Sequence, residues 1–213
     1  RTIAGHHADL GIANFHGINP RTNEFFLGTF GPLGGGWGAK RNEDGISATV
    51  CINDGDTHNA PNEQVEVKFP LLVESNSLIS DSGGPGRHRG GLGVERIVRA
   101  RTNCTVNTQI ERVHCAPWGL EGGLEGAGNS VAMRMDGEWK EDFPNAKVLV
   151  AQLNEGDAFR LRSGGGGGFG NPEARPLEDV AHDVKQGYVS EASARDNYRV
   201  SVDPKTSEPE RLK

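Results

Sequence analysis

Five consecutive glycines, Gly164 to Gly168, followed by Phe169 and Gly170, limit how this chain can fold more than any other feature. Each glycine loses more backbone freedom on ordering than another residue, about 0.5 to 1 kcal/mol relative to alanine. A run of this density is therefore either a flexible linker or a place where the backbone must come very close to something else. The trait extends through the chain: 31 of 213 residues are glycine, about twice the average usage of about 7%. Further clusters lie at Gly34-Gly35-Gly36-Trp37-Gly38 and across Asp81 to Gly93.

Hydrophobic residues make up 34% and charged residues 24%, with a mean hydropathy of −0.56. This is enough apolar material for a packed core. With 23 basic against 29 acidic groups the net charge is −6, which disfavours nucleic-acid binding. No run of about 18 apolar residues occurs, and Arg1 to Gly5 lacks the apolar core of a signal peptide, so a cytoplasmic protein without membrane attachment is expected. Cys51, Cys104 and Cys115 form no CxxC pair, which argues against a disulfide framework and for buried small hydrophobes. The sequon at Asn103 has no export signal to make it usable. The chain begins with Arg1 and its two methionines are Met133 and Met135, so either a start was removed or this is one piece of a longer polypeptide.

Apolar periodicity predicts an α+β, mainly β fold: antiparallel strands and hairpins to about residue 162, then two short helices. The aromatic burst Phe25, Phe26 and Phe30 predicts one strand running into a loop. Val65, Val67 and Phe69 alternate with Glu66 and Lys68 up to Pro70, the period of a half-buried strand. Val94 to Ala100 and Thr102 to Val113 predict two more. Val131, Met133 and Met135 run into Asp136-Gly137, a favoured hairpin turn, with Glu138 to Lys140 returning. Val148 to Leu153, a turn at Asn154 to Asp157, and Ala158 to Arg162 predict a second hairpin. Leu177, Val180, Ala181 and Val184 fall on one helical face between Pro176 and Gly187, and Ser190 is a suitable N-cap for a helix to about Tyr198. The expected division is a β-rich lobe over 1–170, a helical segment over 171–203 and a frayed tail over 204–213.

Two groups of residues carry candidate chemistry. His6-His7-Ala8-Asp9 places imidazoles and a carboxylate within four residues. Such a spacing can supply nitrogen and oxygen ligands to a divalent metal such as manganese or zinc, with His7 or His16 as a third ligand and His58 as a further histidine that the fold can bring near. It can also let a carboxylate orient a histidine, giving Asp9 and His7 catalytic roles. The block Asp81-Ser82-Gly83-Gly84-Pro85-Gly86-Arg87-His88-Arg89-Gly90-Gly91 offers backbone N–H groups and two forked guanidinium groups. Arg87 and Arg89 either hold a phosphate or carboxylate or pair with acidic groups on a neighbouring subunit. No Gly-Lys pair occurs in the chain, so no Walker lysine is present.

Read in order, Gly34 to Ala39, Asp44-Gly45, Asn59 to Glu63, Asp81 to Gly93, Pro117 to Gly123, Gly164 to Pro172 and the ending from Gly187 to Tyr198 resemble the second half of the hydantoinase B/oxoprolinase family. The family includes ATP-dependent cyclic-amide hydrolases and the acetone and acetophenone carboxylases. The resemblance implies part of a B-type subunit of an ATP-dependent hydrolase of a hydantoin, 5-oxoproline or lactam. ATP would be bound by a hydantoinase A-like partner that phosphorylates the substrate oxygen. The alternatives are a component of a ketone carboxylase or a non-catalytic structural lobe. Family members are usually more than twice this long, which implies that the first half is absent or a separate chain. His6 to Gly11 resembles a metal- or catalysis-bearing segment normally placed in that first half.

Overall fold

The structure is a computed structural model describing residues 2–50, 57, 59–203, 206 and 208–212. It is α+β and mainly β. One sheet has the order β2-β1-β5-β8, built from β1 (Ile12–Asn19), β2 (Glu24–Phe30), β5 (Cys104–Gln109) and β8 (Ala151–Leu153). The other has the order β3-β4-β9-β6-β7, from β3 (Leu71–Leu78), β4 (Val94–Ala100), β6 (Ser130–Met135), β7 (Glu138–Lys140) and β9 (Ala158–Arg162). Neighbouring strands in both run antiparallel. One apolar cluster draws residues from both sheets, and Phe15 of the first meets Phe159 of the second edge to face at 5.8 Å.

The Asp136-Gly137 hairpin forms as expected, both residues taking the positive φ that this turn demands (53° and 85°). Three other expectations change. The aromatic burst is one arm of a hairpin, because Ile12–Asn19 pairs along nearly its full length with Glu24–Phe30. Residues Asn62–Lys68 form a helix, α1, where a strand was expected. Val65 and Phe69 are four apart, so the same alternation serves a helical face: Val65 is buried, Phe69 packs against the core, and Val67 turns outward at 76% exposure. Glu63 in the first turn and Lys68 in the last suit the helix dipole. Finally, β8 and β9 do not form a hairpin. Leu153 pairs with Cys104 in one sheet and Ala158 with Arg99 in the other, so the turn at Asn154 to Asp157 is a corner of the sandwich. Its Gly156 N–H donates to the Ala100 carbonyl and the Ala100 N–H to that of Asp157.

Gly164 to Gly170 is neither a linker nor a sheet strand. Gly165 and Gly168 donate to Ala127 and Leu124, Gly166 and Phe169 to Gly91 and His88, and Gly167 and Gly170 to Gly5 and Leu120, at 2.7 to 3.0 Å. Residues three apart thus face the same side, the period of an extended polyproline-type helix with no internal hydrogen bonds. A Cβ would lie 1.8 Å from the Ser82 carbonyl oxygen at Gly165, 1.9 Å from that of Trp37 at Gly166 and 1.9 Å from that of Trp118 at Gly167. Backbone closes on Gly165, Gly166 and Gly167 from three sides and leaves no room for a side chain at these positions. The glycine clusters at 34–38 and 83–93 are its neighbours.

The C-terminal segment follows expectation. Pro176 precedes α2 (Leu177–Lys185) and Ser190 caps α3 (Glu191–Tyr198) by accepting from the Ser193 N–H at 3.0 Å. In place of a fully frayed tail, β11 (Pro209–Arg211) pairs with β10 (Val200–Val202). Val180, Val189, Ala194, Tyr198, Val200 and Val202 form a second, separate apolar cluster.

Candidate functional site

The edge of the glycine bundle positions the His6 to Asp9 loop. The His7 N–H donates to the Gly36 carbonyl and the Gly5 N–H to that of Trp118. His6 stacks on Trp37 with ring centres 5.8 Å apart. Its Nδ1 accepts the Ala8 N–H at 3.1 Å, and Ala8 itself sits at φ +42°. His7 is only 1% exposed and stands edge-on to His6 at 6.2 Å. Its Nδ1 faces the Gly36 carbonyl at 3.4 Å, while its Nε2 is buried with no partner among the described residues. Burial lowers the pKa of both histidines, with the Arg112 charge adding to the effect at His6.

Asp9 is buried and doubly held. Its Oδ2 accepts the Glu111 N–H at 2.9 Å and the Asn129 side-chain amide at 2.6 Å. Asn129 also donates to the Glu111 carbonyl (2.8 Å) and accepts the Gly164 N–H through its Oδ1. Asn129 therefore ties together Asp9, the chain beyond β5 and the start of the glycine helix. Sequence reasoning missed Asn129 because nothing local links it to a residue 120 positions away.

The remaining expected residues are placed elsewhere. His16 lies mid-strand on β1, opposite Leu27 and Thr105, with its Nε2 3.4 Å from the Asn107 amide. Among the described residues no three of His, Cys, Asp and Glu gather as metal ligands, so His6, Asp9 and His16 do not form one ligand set. His58 and Cys51 lie outside the described residues. Cys104 is buried, and burial followed by the Asp157 charge pushes its thiol up to about 11. Cys115 is exposed, contrary to its expected burial.

Arg89 turns inward. It is 5% exposed, and its Nε donates to Asp183 at 3.1 Å. Arg175 reaches the same Asp183 oxygen at 2.8 Å and grips both Asp44 oxygens at 2.8 and 2.7 Å. The Arg89 N–H donates to Asp44 at 2.7 Å. This largely buried network pins α2 to the glycine-rich block. Its local signal in the sequence is Asp183, a carboxylate on the inner face of α2 beside Val180 and Val184. Arg87 stays exposed.

A β sandwich joined to a bundle of extended glycine segments, with a histidine–aspartate loop at the bundle edge, defines the architecture. The family model of hydantoinase B/oxoprolinase matches residues 1–172, and the chain belongs to that family. A Pseudomonas protein (strain NS671) named as the B component of a D-/L-hydantoinase is 28% identical over 204 residues, covering 94% of this chain and 34% of that protein. The beta chain of the caprolactamase of Pseudomonas jessenii is 30% identical over 213 residues, covering 93% and 35%. The solved ATP-dependent caprolactamase from that organism superposes with a TM-score of 0.81 at 26% identity over 96% of this chain and 36% of its own. Acetone carboxylase, nucleotide-free, shares the fold with a TM-score of 0.81 at 24% identity, over 98% and 32%. The chain thus spans about a third of the length of these relatives. No helix among the described residues is long and apolar enough to cross a membrane.

Proposed function

We propose that this chain is part of the B-type subunit of an ATP-dependent cyclic-amide hydrolase acting on a hydantoin, 5-oxoproline or lactam. It would work in the cytoplasm with an ATP-binding, hydantoinase A-like partner and with the remaining portion of the B-type component. The observation that carries this reading is the match to a caprolactamase over nearly the whole chain in both sequence and fold. The second reading, a ketone carboxylase, draws on the likeness to acetone carboxylase. Two separate apolar clusters support the division into a lobe over 1–170 and a helical segment over 171–203.

In this reading Asp9 and His7 are the working groups of the loop. The buried Nε2 of His7 is unpartnered among the described residues. Asp9 has one oxygen, Oδ2, held by Asn129 and Glu111. No three of the described histidines, cysteines and carboxylates gather, so a manganese or zinc ion would take at most two donors from among His6, His7 and Asp9 and the others from the rest of the protein. A metal there would polarise a substrate oxygen. The test is co-purification with mass spectrometry of the partner chains, followed by assay of the complex. ATP hydrolysis that depends on a lactam without bicarbonate is expected. Turnover only with a ketone and bicarbonate would favour the carboxylase, and no turnover with any of these substrates would overturn both readings.

A further inference from the structure

A cavity of about 420 Å³ adjoins the Asp9 loop, lined by Ile110 to Cys115, Asn145 and Lys147. Two of its cations differ in how they are engaged. Lys147 donates to the Ile110 carbonyl and to Glu111 Oε1, both at 2.6 Å. The Arg112 guanidinium lies over the Trp118 ring at 5.2 Å and donates to the Cys115 carbonyl at 3.2 Å, but pairs with no carboxylate among the described residues. The one acidic lining residue, Glu111, is already paired with Lys147, so the cavity carries an unbalanced positive charge in a chain whose net charge is −6.

The backbone of Arg112 is held in a conformation that arginine rarely takes, φ +50°. Asp9 Oδ2 accepts the N–H of the preceding Glu111, and the Asn129 N–H donates to the Arg112 carbonyl at 3.1 Å. The carboxylate of the histidine–aspartate loop and its amide clamp thus fix where Arg112 points its chain. Strain maintained in this way, with a cation left without a carboxylate, fits a residue positioned for a ligand.

We infer that this cavity binds an oxyanion, a phosphate or carboxylate group, with Arg112 as its principal ligand and Lys147 and His114 at its wall. The forked guanidinium suits either anion. The inference deepens the proposed function, since it rests on that reading for the identity of the anion as part of the activated or ring-opened substrate. It also moves the anion role from the Arg87–Arg89 loop to Arg112.

Calorimetric titration of the full chain with inorganic phosphate and, separately, acetate tests it. Saturable binding of at least one is expected, and the tighter of the two identifies phosphoryl or carboxylate chemistry. Arg112→Gly accommodates φ +50° without strain, so its melting temperature should be held or raised while anion affinity falls by about 10-fold or more. Arg112→Lys should keep part of the affinity, and Arg87→Ala all of it. Unchanged affinity in Arg112→Gly, or no saturation of the unsubstituted chain by either anion at about 10 mM, would overturn the inference. Because this binding needs no partner, its failure is distinct from a failure of lactam turnover in the assembled complex, which would strike the proposed function alone.

Discussion

The glycine bundle and the C-terminal segment are two buried regions held by opposite means. In the bundle, order comes from removing side chains: Gly165, Gly166 and Gly167 each let a different backbone carbonyl approach to where a Cβ would stand. In the C-terminal segment, order comes from adding them: Val180, Ala194 and Tyr198 fill a small core, and Arg89, Arg175, Asp44 and Asp183 join it to the bundle. The first arrangement tolerates no methyl group at its centre. The second can lose atoms by degrees.

Gly166→Ala should break the first region outright, since its methyl meets the Trp37 carbonyl oxygen at 1.9 Å and the surroundings are backbone. A loss of more than about 4 kcal/mol, seen as failure to fold or a collapsed urea midpoint, is expected. Gly137→Ala, with nothing within 4 Å but a φ of +85°, should cost only about 1 kcal/mol.

The junction comes next. Arg175→Ala strips Asp44 of its bidentate partner and leaves Asp183 with Arg89 alone, so a loss of about 3 kcal/mol is expected, with faster proteolysis confined to residues after 175. The charge of this junction also sets an acid limit. Burial alone would raise the Asp44 pKa, but the hydrogen bonds and charge of Arg175, joined by the Arg89 charge, outweigh it and hold the carboxyl below its ordinary 3.8. A depressed carboxyl contributes stability that is fully present above its unfolded value and lost as pH falls through the folded one. Docking of the C-terminal segment should therefore hold at neutral pH and weaken only below about pH 4, measurable by hydrogen exchange of α2. Ser190→Ala, which removes the cap of α3, should cost about 1 kcal/mol by thermal melt, as little as Gly137→Ala.

The same contrast explains what can be read from the sequence. Helices α2 and α3 are legible there because their caps and apolar spacing are local. The Asp136-Gly137 hairpin is legible because its turn chemistry is local too. Tertiary pairing decides the rest. Nothing within Val148 to Arg162 states that its two strands enter different sheets, and Val65-x-Val67-x-Phe69 satisfies both a strand and one helical face. Of the site, the loop from His6 to Asp9 stands out as a cluster of residue types. Asn129 and the chain around Arg112 reach Asp9 only through the fold, and His16, near the loop in sequence, is carried away from it by β1. The glycine tract is conspicuous in the sequence, but its period of three emerges only when its neighbours are known.

Under the proposed function, Asp9, held by Asn129 and Glu111 at the edge of the glycine bundle, serves the reaction of a B-type subunit. Lactam-dependent ATP turnover of the assembled complex, compared between the unsubstituted chain and Asp9→Ala with assembly followed by size-exclusion chromatography, tests this role most directly. A fall of about 100-fold or more with assembly intact is the predicted result. Turnover within about twofold of the unsubstituted complex would contradict it.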